Sequence, residues 1–488
     1  MAAFSKILTQ DMPDLPQVSY RPPAVAGSFY PNNPDSLKMM LNEYLDGKEF
    51  TPISGDILAI VVPHAGYVFS GWVAGKAYRE IRNRKYDAII IIGPSHAKYF
   101  TGASVFKGDG YTTPLGEVPV DKNLANEIAN YSPLVKLSLD GHGWKGNESE
   151  HSIEVQIPFL QMVQPNVPIV PIDMGSQDFA TCDALVKSIV YAVRNLNKKI
   201  LVVASSDLSH FHDQNTAVSL DSFVVNSFSK FDYFKLETNL FAGKWEACGG
   251  GPIVAAMMIA EQLGANATLP FQYATSANSP YVQPNKDRVV GYMSGAVYND
   301  NSGKQNILPE INDNDKKLIL EIAEITVQNS VLGKPKKKLP EENSSYLNEE
   351  YAAFVTLKEH GELRGCIGQI FSKVPLRQSI QDAARNAALR DPRFNAVSEA
   401  ELSKLEYEVT VLSRMKKILD EKEIVIGRDG VYMKSENSSA IFLPQVAPEQ
   451  HWDVKDLLEN LCRKAGIARD SYKLPDTEIF IFQALIIK

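Results

Sequence analysis

The sequence predicts two successive domains: an α/β domain on a parallel or mixed sheet, then an α+β domain with a mostly antiparallel sheet. Three observations carry this. Continuous apolar runs separated by helical segments recur between residues 57 and 298, as expected for strands covered on both faces. The polar stretch "NDNSGKQNILPEINDND" (299–315), rich in Asn, Asp, Ser and Gly, then interrupts the pattern,. Beyond it, alternation and hairpin signals replace the long apolar runs. The boundaries that follow are a first domain over 1–300, a linker over 301–312 and a second domain over 313–488. A chain of 488 residues also exceeds what one ordinary core holds.

The elements follow in order. Residues 1–23, polar and carrying Pro13, Pro16, Pro22 and Pro23, read as an extended arm. "ILAIVVP" (57–63), "YDAIIIIGPS" (86–95) and "KKILVVASSD" (198–207) read as strands, and "GWVAGKAYREIR" (71–82) and "DFATCDALVKSIVYAVRNLN" (178–197) as helices. "RVVGYMSGAVY" (288–298) reads as the closing strand of the first domain. In the second, "DKKLILEIAEITVQNSVLG" (315–333) has helical periodicity, with Asp315 as its cap and Gly333 as its stop,. "KPKKKLP" (334–340) reads as a solvated basic loop,. Hairpins are expected to turn at His360-Gly361 and at Asp429-Gly430,. "KLEYEVTVLS" (404–413) alternates as a strand, and "DVKDLLENLCRKAG" (453–466) is a helix stopped at Gly466,.

Composition excludes several classes. A hydrophobic content of 44%, a charged content of 22% and a net charge of −8 suit a globular protein and argue against nucleic acid or an anionic membrane as partner. The first residues lack the apolar core of a signal peptide. The longest apolar stretches, such as "PIVAAMMIA", fall short of the roughly 20 residues that span a bilayer. Four widely separated Cys make no disulfide framework. The expectation is a cytoplasmic protein.

Of eight His, six lie between His64 and His212. His64 follows the first apolar run, His96 the second and His210 the third, with Asp207 just before it. In a parallel sheet the carboxyl ends of the strands share one edge, where ligands bind. A single His there is more often a satisfied loop residue; three at equivalent strand ends point to a site. Cys248 precedes three glycines, Pro252 and an apolar helix. A helix N-terminus lowers a thiol pKa, so Cys248 is expected to supply a thiolate, as metal ligand or as nucleophile. The bland alternative is a small buried hydrophobe. "NESEHSIEVQIPFLQ" (147–161) groups Glu150, His151 and Glu154, a pattern that by itself often only starts a helix.

"AVAGSFYP", "VVPHAGYVFSG", "IIGPSHAKYF", "EHSIEVQIPFL", "SSDLSH" and "ACGGGPI" occur in the order found in the Memo family, which residues 20–298 thus resemble. That resemblance implies a fold similar to the class III extradiol dioxygenases, which use non-haem iron. It implies metal ligands at His64, His96 and Cys248, and an active-site histidine at His210 with Asp207 beside it. Glu150, His151 and His212 are then expected to face substrate. Two imidazoles and a thiolate suit iron, and equally copper or zinc. The sequence departs from animal members of the family in the single His of "SHAKYF", in Gly250 and Gly251, and in His212.

"LRGCIG" (363–368) and "AARNAALRDPRFNAVSEAELSKLEYEVTVLS" (383–413) make residues 313–488 similar to the AMMECR domain. Arg364 and Cys366 there could line a small pocket, with Arg385, Arg390 and Arg393 suited to an anion; a close-packed strand with a buried Cys is the competing reading. Both halves together resemble two parts of the AmmeMemoRadiSam system, which implies a radical S-adenosylmethionine enzyme as partner. This chain has no CxxxCxxC and is not that component. Three functions follow as expectations: a metal-dependent, dioxygenase-related oxidoreductase in which His210 handles protons; a cysteine hydrolase with Cys248 as nucleophile and His210 as base; or a non-catalytic metal-binding scaffold for the radical enzyme.

Overall fold

The computed structural model describes residues 19–46, 53–301, 308, 311–341, 346–435, 438–474 and 477–488. The chain divides into two compact units, residues 1–304 and 305–488. Parts of the expected arm and linker lie outside the described residues.

The strands of the first unit are β1 Tyr20–Arg21, β2 Asp56–Val62, β3 Ala88–Pro94, β4 Ala103–Phe106, β5 Gly110–Thr113, β6 Gly116–Pro119, β7 Val135–Ser138, β8 Ile169–Met174, β9 Ile200–Ser205, β10 His210–His212, β11 Ala267–Thr275 and β12 Val289–Asn299. Nine of them form one sheet in the order β10-β12-β2-β9-β3-β8-β4-β7, with β11 also on β12. The central strands β2, β9, β3 and β8 are mutually parallel. β12 runs antiparallel to β2 and β11, and β4 antiparallel to β8. The sheet is therefore mixed. Its centre is parallel because "ILAIVV", "AIIII" and "ILVVA" are apolar on both faces, and those residues are almost all buried,. The apolar run "PIVAAMMIA" lies in the helix Gly250–Gln262, buried on all sides. Among the described residues no helix is long and apolar enough to cross a membrane.

Two features lie beyond what the consecutive residues show. β9 sits between β2 and β3, so the strands that carry His64 and His96 are not neighbours. The end of the presumed arm is not free either: β1 pairs in parallel with β5 and leaves Arg21 only 1% exposed. Its guanidinium meets Glu154 at 2.7 Å, an ion pair that no local sequence pattern announces.

In the second unit the strands are β13 Ala353–Glu359, β14 Glu362–Gly368, β15 Leu405–Leu412, β16 Lys416–Lys417, β17 Gly430–Lys434, β18 Ser439–Phe442, β19 Glu478–Phe482 and β20 Ala484–Ile487. They form two antiparallel sheets, β14-β13-β15-β20 and β16-β19-β17-β18. The helices Asp313–Val331 and Leu376–Leu389 pack on one face of the first sheet, against Val355, Leu357 and Val409. The hairpin β13–β14 turns at His360 and Gly361, whose φ values of 52° and 81° are those of a type I′ turn. The helix cap is Asn312, whose side chain accepts from the N–H of Asp315, and not Asp315 itself. No hairpin turns at Asp429-Gly430. β17 begins there and pairs with β18 and β19, while buried Asp429 accepts from Val425 N and pairs with Arg428.

Candidate metal centre

Three loops leave the carboxyl edge of the parallel strands with the same short step. His64 is two residues beyond β2, His96 two beyond β3 and Asp207 two beyond β9. His64 is 2% exposed. Its N–H donates to Asp207 Oδ1 at 2.8 Å, and its Nδ1 lies 2.9 Å from Ser205 Oγ. Ser205 gives its proton to the Ser152 carbonyl and accepts from Gln156 Nε2. A hydroxyl has one proton and two lone pairs, so Ser205 meets His64 as an acceptor. Nδ1 of His64 therefore carries the hydrogen, and Nε2 presents its lone pair.

His96 is fixed by Glu150. This carboxylate, 2% exposed, accepts from the backbone N–H of His96, His151 and Ser152 and lies 3.0 Å from His96 Nδ1. An ionised carboxylate only accepts, so His96 also carries its hydrogen on Nδ1 and leaves Nε2 free. Burial pushes the Glu150 carboxyl up, but the hydrogen bond and charge of His96 outweigh it and hold it well below the usual range. His96 is raised in return: its burial acts downward and Glu150 overcomes it. His64 is pushed well down, by burial first and then by the neighbouring imidazoles, and is neutral.

The loop that carries Glu150 also carries His151. The rings of His64, His96 and His151 lie 4.9–5.5 Å apart by centroid. One ligating atom from each falls within 4.8 Å of the others, an arrangement compatible with a metal ion. His151, expected to face substrate, is thus a third imidazole of the cluster. Glu150, expected in the same role, spends its oxygens inside the protein. The loop is held from behind by Arg21, which donates to the carbonyls of His142, Gly143 and Glu150 and to the Glu154 carboxylate. Phe29 covers His151 at 4.7 Å between rings.

Cys248 lies against this cluster, its Sγ 3.1 Å from His64 Nε2 and accepting from Asp207 N–H at 3.2 Å. The expected lowering of its pKa is not found. Desolvation, and then the nearby Asp207 charge, raise the thiol far above its ordinary value. The N–H groups of Asp207 and Gly249 and the Ser206 hydroxyl favour the thiolate but do not outweigh burial, and the first amides of the helix also have other acceptors. Gly249 N donates to Ser206 Oγ, Gly250 N to the Ala247 carbonyl and Gly251 N to Gln177 Oε1. Asp207 is pushed up to about 7 by burial, against the N–H groups of His64 and Ala65 that favour its charge.

His210 is not on the end of β9 but on β10, which pairs with the start of β12. Its Nδ1 is 2.8 Å from the Leu208 carbonyl, which fixes the hydrogen there and leaves Nε2 as an acceptor,. It lies within electrostatic reach of His64 and His96. His212 is turned away to Glu246, at 2.9 Å. In the second unit Arg364 is paired with Glu401 at 2.6 Å, Arg393 with Asp391 at 2.7 Å and Arg385 with Asp382 at 3.2 Å. Those arginines are engaged by carboxylates. Cys366 Sγ accepts from Thr356 Oγ1 at 3.2 Å.

The fold and the site define an α/β protein in which strand ends and one braced loop gather three imidazoles in metal-ligand geometry. The chain belongs to the Memo-like protein family, whose model matches residues 21–296; a second family model, AMMECR1, matches residues 320–487. It is similar to a MEMO1 family protein of Methanobrevibacter smithii, 34% identical over 285 residues, covering 56% of this chain and 98% of that protein. A MEMO1 family protein of Archaeoglobus fulgidus is 36% identical over 278 residues, covering 57% and 99%. Among solved structures, an uncharacterized Pyrococcus horikoshii protein, PH0010, matches with 32% identity over 36% of this chain and 92% of its own, at a TM-score of 0.33. An uncharacterized Escherichia coli K12 protein, JW3007, matches with 14% identity over 49% and 99%, at a TM-score of 0.31.

Proposed function

We propose that the Memo-like unit is a metal-dependent, dioxygenase-related oxidoreductase, with non-haem iron as its ion. The observation that supports this best is the cluster of His64, His96 and His151, in which hydrogen-bonded acceptors on Nδ1 leave Nε2 of the first two as lone pairs, that of His64 facing the Cys248 thiol. Those three imidazoles would hold the ion, with Cys248 as a further donor once its thiol proton leaves. This donor set accepts iron, copper or zinc. A bound ion supplies Lewis acidity and, for iron or copper, electron transfer. Ser205 and Glu150 orient the ligands, Asp207 fixes the backbone of His64, and His210 Nε2 accepts a proton from a substrate at the edge of the cluster. The cysteine-hydrolase reading is less well supported. The amides of Gly249, Gly250 and Gly251 already have acceptors, which leaves none of them to stabilise an oxyanion,. The pairing of Memo and AMMECR1 units supports a radical S-adenosylmethionine enzyme as partner.

Metal analysis after anaerobic purification tests the reading. About one ion per chain is expected, with occupancy lost in His64→Ala and His96→Ala and reduced in His151→Ala and Cys248→Ala. Oxygen uptake with candidate catechols then tests the reaction class, and His210→Ala is expected to keep the ion and lose turnover. Full occupancy in all four ligand variants would refute the site.

A further inference from the structure

Between His210 and His212 lies a residue in a strained conformation. Phe211 has φ +65°, a region that a bulky side chain enters only when its surroundings over-determine it. It is the extra residue of a bulge: β10 meets β12 through His210↔Val290 and His212↔Val289, with Phe211 unpaired between them,. A bulge that only had to close would take Gly or Asn at this φ. The ring is not used for core packing, since Phe211 is 59% exposed.

The ring is instead covered by a cation. The Arg288 guanidinium lies over its face, 4.3 Å from the centroid. Arg288 is exposed and, among the described residues, makes no ion pair. Its donors are therefore available while the ring limits where they can go. Phe211 also stands 5.5 Å from the His210 ring, edge to face. The His210 loop is braced from below. Asp221 accepts from Ser209 N, and Gly291 exchanges backbone hydrogen bonds with Leu208 and Ser209.

We propose that Arg288, held on the Phe211 ring, is an anion subsite at the rim of the histidine cluster, and that the ligand of this site is a small organic carboxylate. A guanidinium fork matches a carboxylate edge to edge. One cation suits a single negative charge better than a phosphate dianion. The strained backbone keeps the ring, and with it the guanidinium, beside His210. The subsite rests on the metal-centre reading only for what the other end of the ligand meets.

Benzoate is the probe, followed by ligand-observed NMR on the full chain, metal-loaded and metal-free, with inorganic phosphate as comparator. Saturable benzoate binding is expected, tighter than phosphate and weakened about tenfold or more by Arg288→Gln, the scale of one lost charge-assisted hydrogen-bonded contact. Phe211→Asn, which tolerates the left-handed backbone but removes the shelf, should weaken it several-fold, and Phe211→Trp should preserve it. No saturable binding in either form, equal affinity in Arg288→Gln, or tighter binding of phosphate would each overturn the proposal. Arg288-dependent binding in a protein that takes up no metal would leave the subsite standing and remove the metal centre instead.

Discussion

Glu154→Gln tests how the loop of the candidate centre is held. Glu154 is fully buried and accepts four hydrogen bonds: from Arg21 Nη1 and Ala24 N at 2.7 Å on one oxygen, and from Val25 N at 3.0 Å and Tyr30 Oη at 2.7 Å on the other. An amide of the same shape replaces one oxygen with a donor. Turned so that its oxygen still serves Arg21 and Ala24, it orphans the Val25 N–H while the Tyr30 hydroxyl can turn to accept, and in either orientation the Arg21 charge, 1% exposed, loses its counter-charge. Breaking a buried ion pair from one side costs about 3–5 kcal/mol, of which the orphaned Val25 donor accounts for about 1–3 kcal/mol. Against a domain stability of about 5–15 kcal/mol, this lowers the melting temperature by roughly 6–20 °C, at about 2–4 °C per kcal/mol for a large domain. Tryptophan fluorescence in urea follows the unit selectively, because Trp72, Trp144 and Trp245 lie in it and only Trp452 lies beyond. A loss below about 1 kcal/mol would show that the pair does not brace the loop. Arg21→Met in the same background should then add little further loss, since the two side chains act as one unit.

Ser205→Ala removes the acceptor that fixes the hydrogen on His64 Nδ1 and should weaken metal affinity about 10–100-fold with little change in fold, read by competition with a chelator. Because desolvation keeps the Cys248 thiol protonated, metal uptake at pH 7 should release close to one proton from it. Calorimetry in buffers of different ionisation enthalpy measures that release, and Cys248→Ser should lower it by that proton; affinity should also fall as pH drops, with His96, whose pKa is raised, protonating first,. In the AMMECR1 unit, the hydrogen bond from Arg393 leads the groups that hold Asp391 well below the usual carboxylate range. A carboxyl depressed in the folded state adds stability above its unfolded pKa and loses it as pH falls. Asp391→Asn should therefore destabilise this unit at pH 7, and the gap to the wild type should close between about pH 5 and pH 2 in acid titrations of the unfolding midpoint.

Much of the frame was legible because its signals are local. The apolar runs that became β2, β3 and β9 bury both faces, and that needs nothing beyond consecutive Ile, Val, Leu and Ala. The His360-Gly361 turn and the stop at Gly466, where φ is +74°, follow from what those residues tolerate at positive φ. Asp429-Gly430 misled because the same dipeptide also serves where an Asp carboxylate is buried and ion-paired. Within the site, His64 and His96 were found because each directly follows a strand. His151 was undervalued because it follows none; it stands on an irregular segment whose position depends on Arg21, 133 residues before Glu154.

By itself the sequence determined where the strands and most helices lie, that the parallel edge would carry imidazoles, and the family to which the chain belongs. The tertiary structure alone decided the strand order that inserts β9 between β2 and β3, the entry of His151 into the cluster, the hydrogen position on His64 and His96, and the protonated state of Cys248. The division has one physical cause. Backbone propensity and burial pattern act over a few consecutive residues and can be read from them. Desolvation and hydrogen-bond completion depend on which distant groups share a volume, and no local pattern records that.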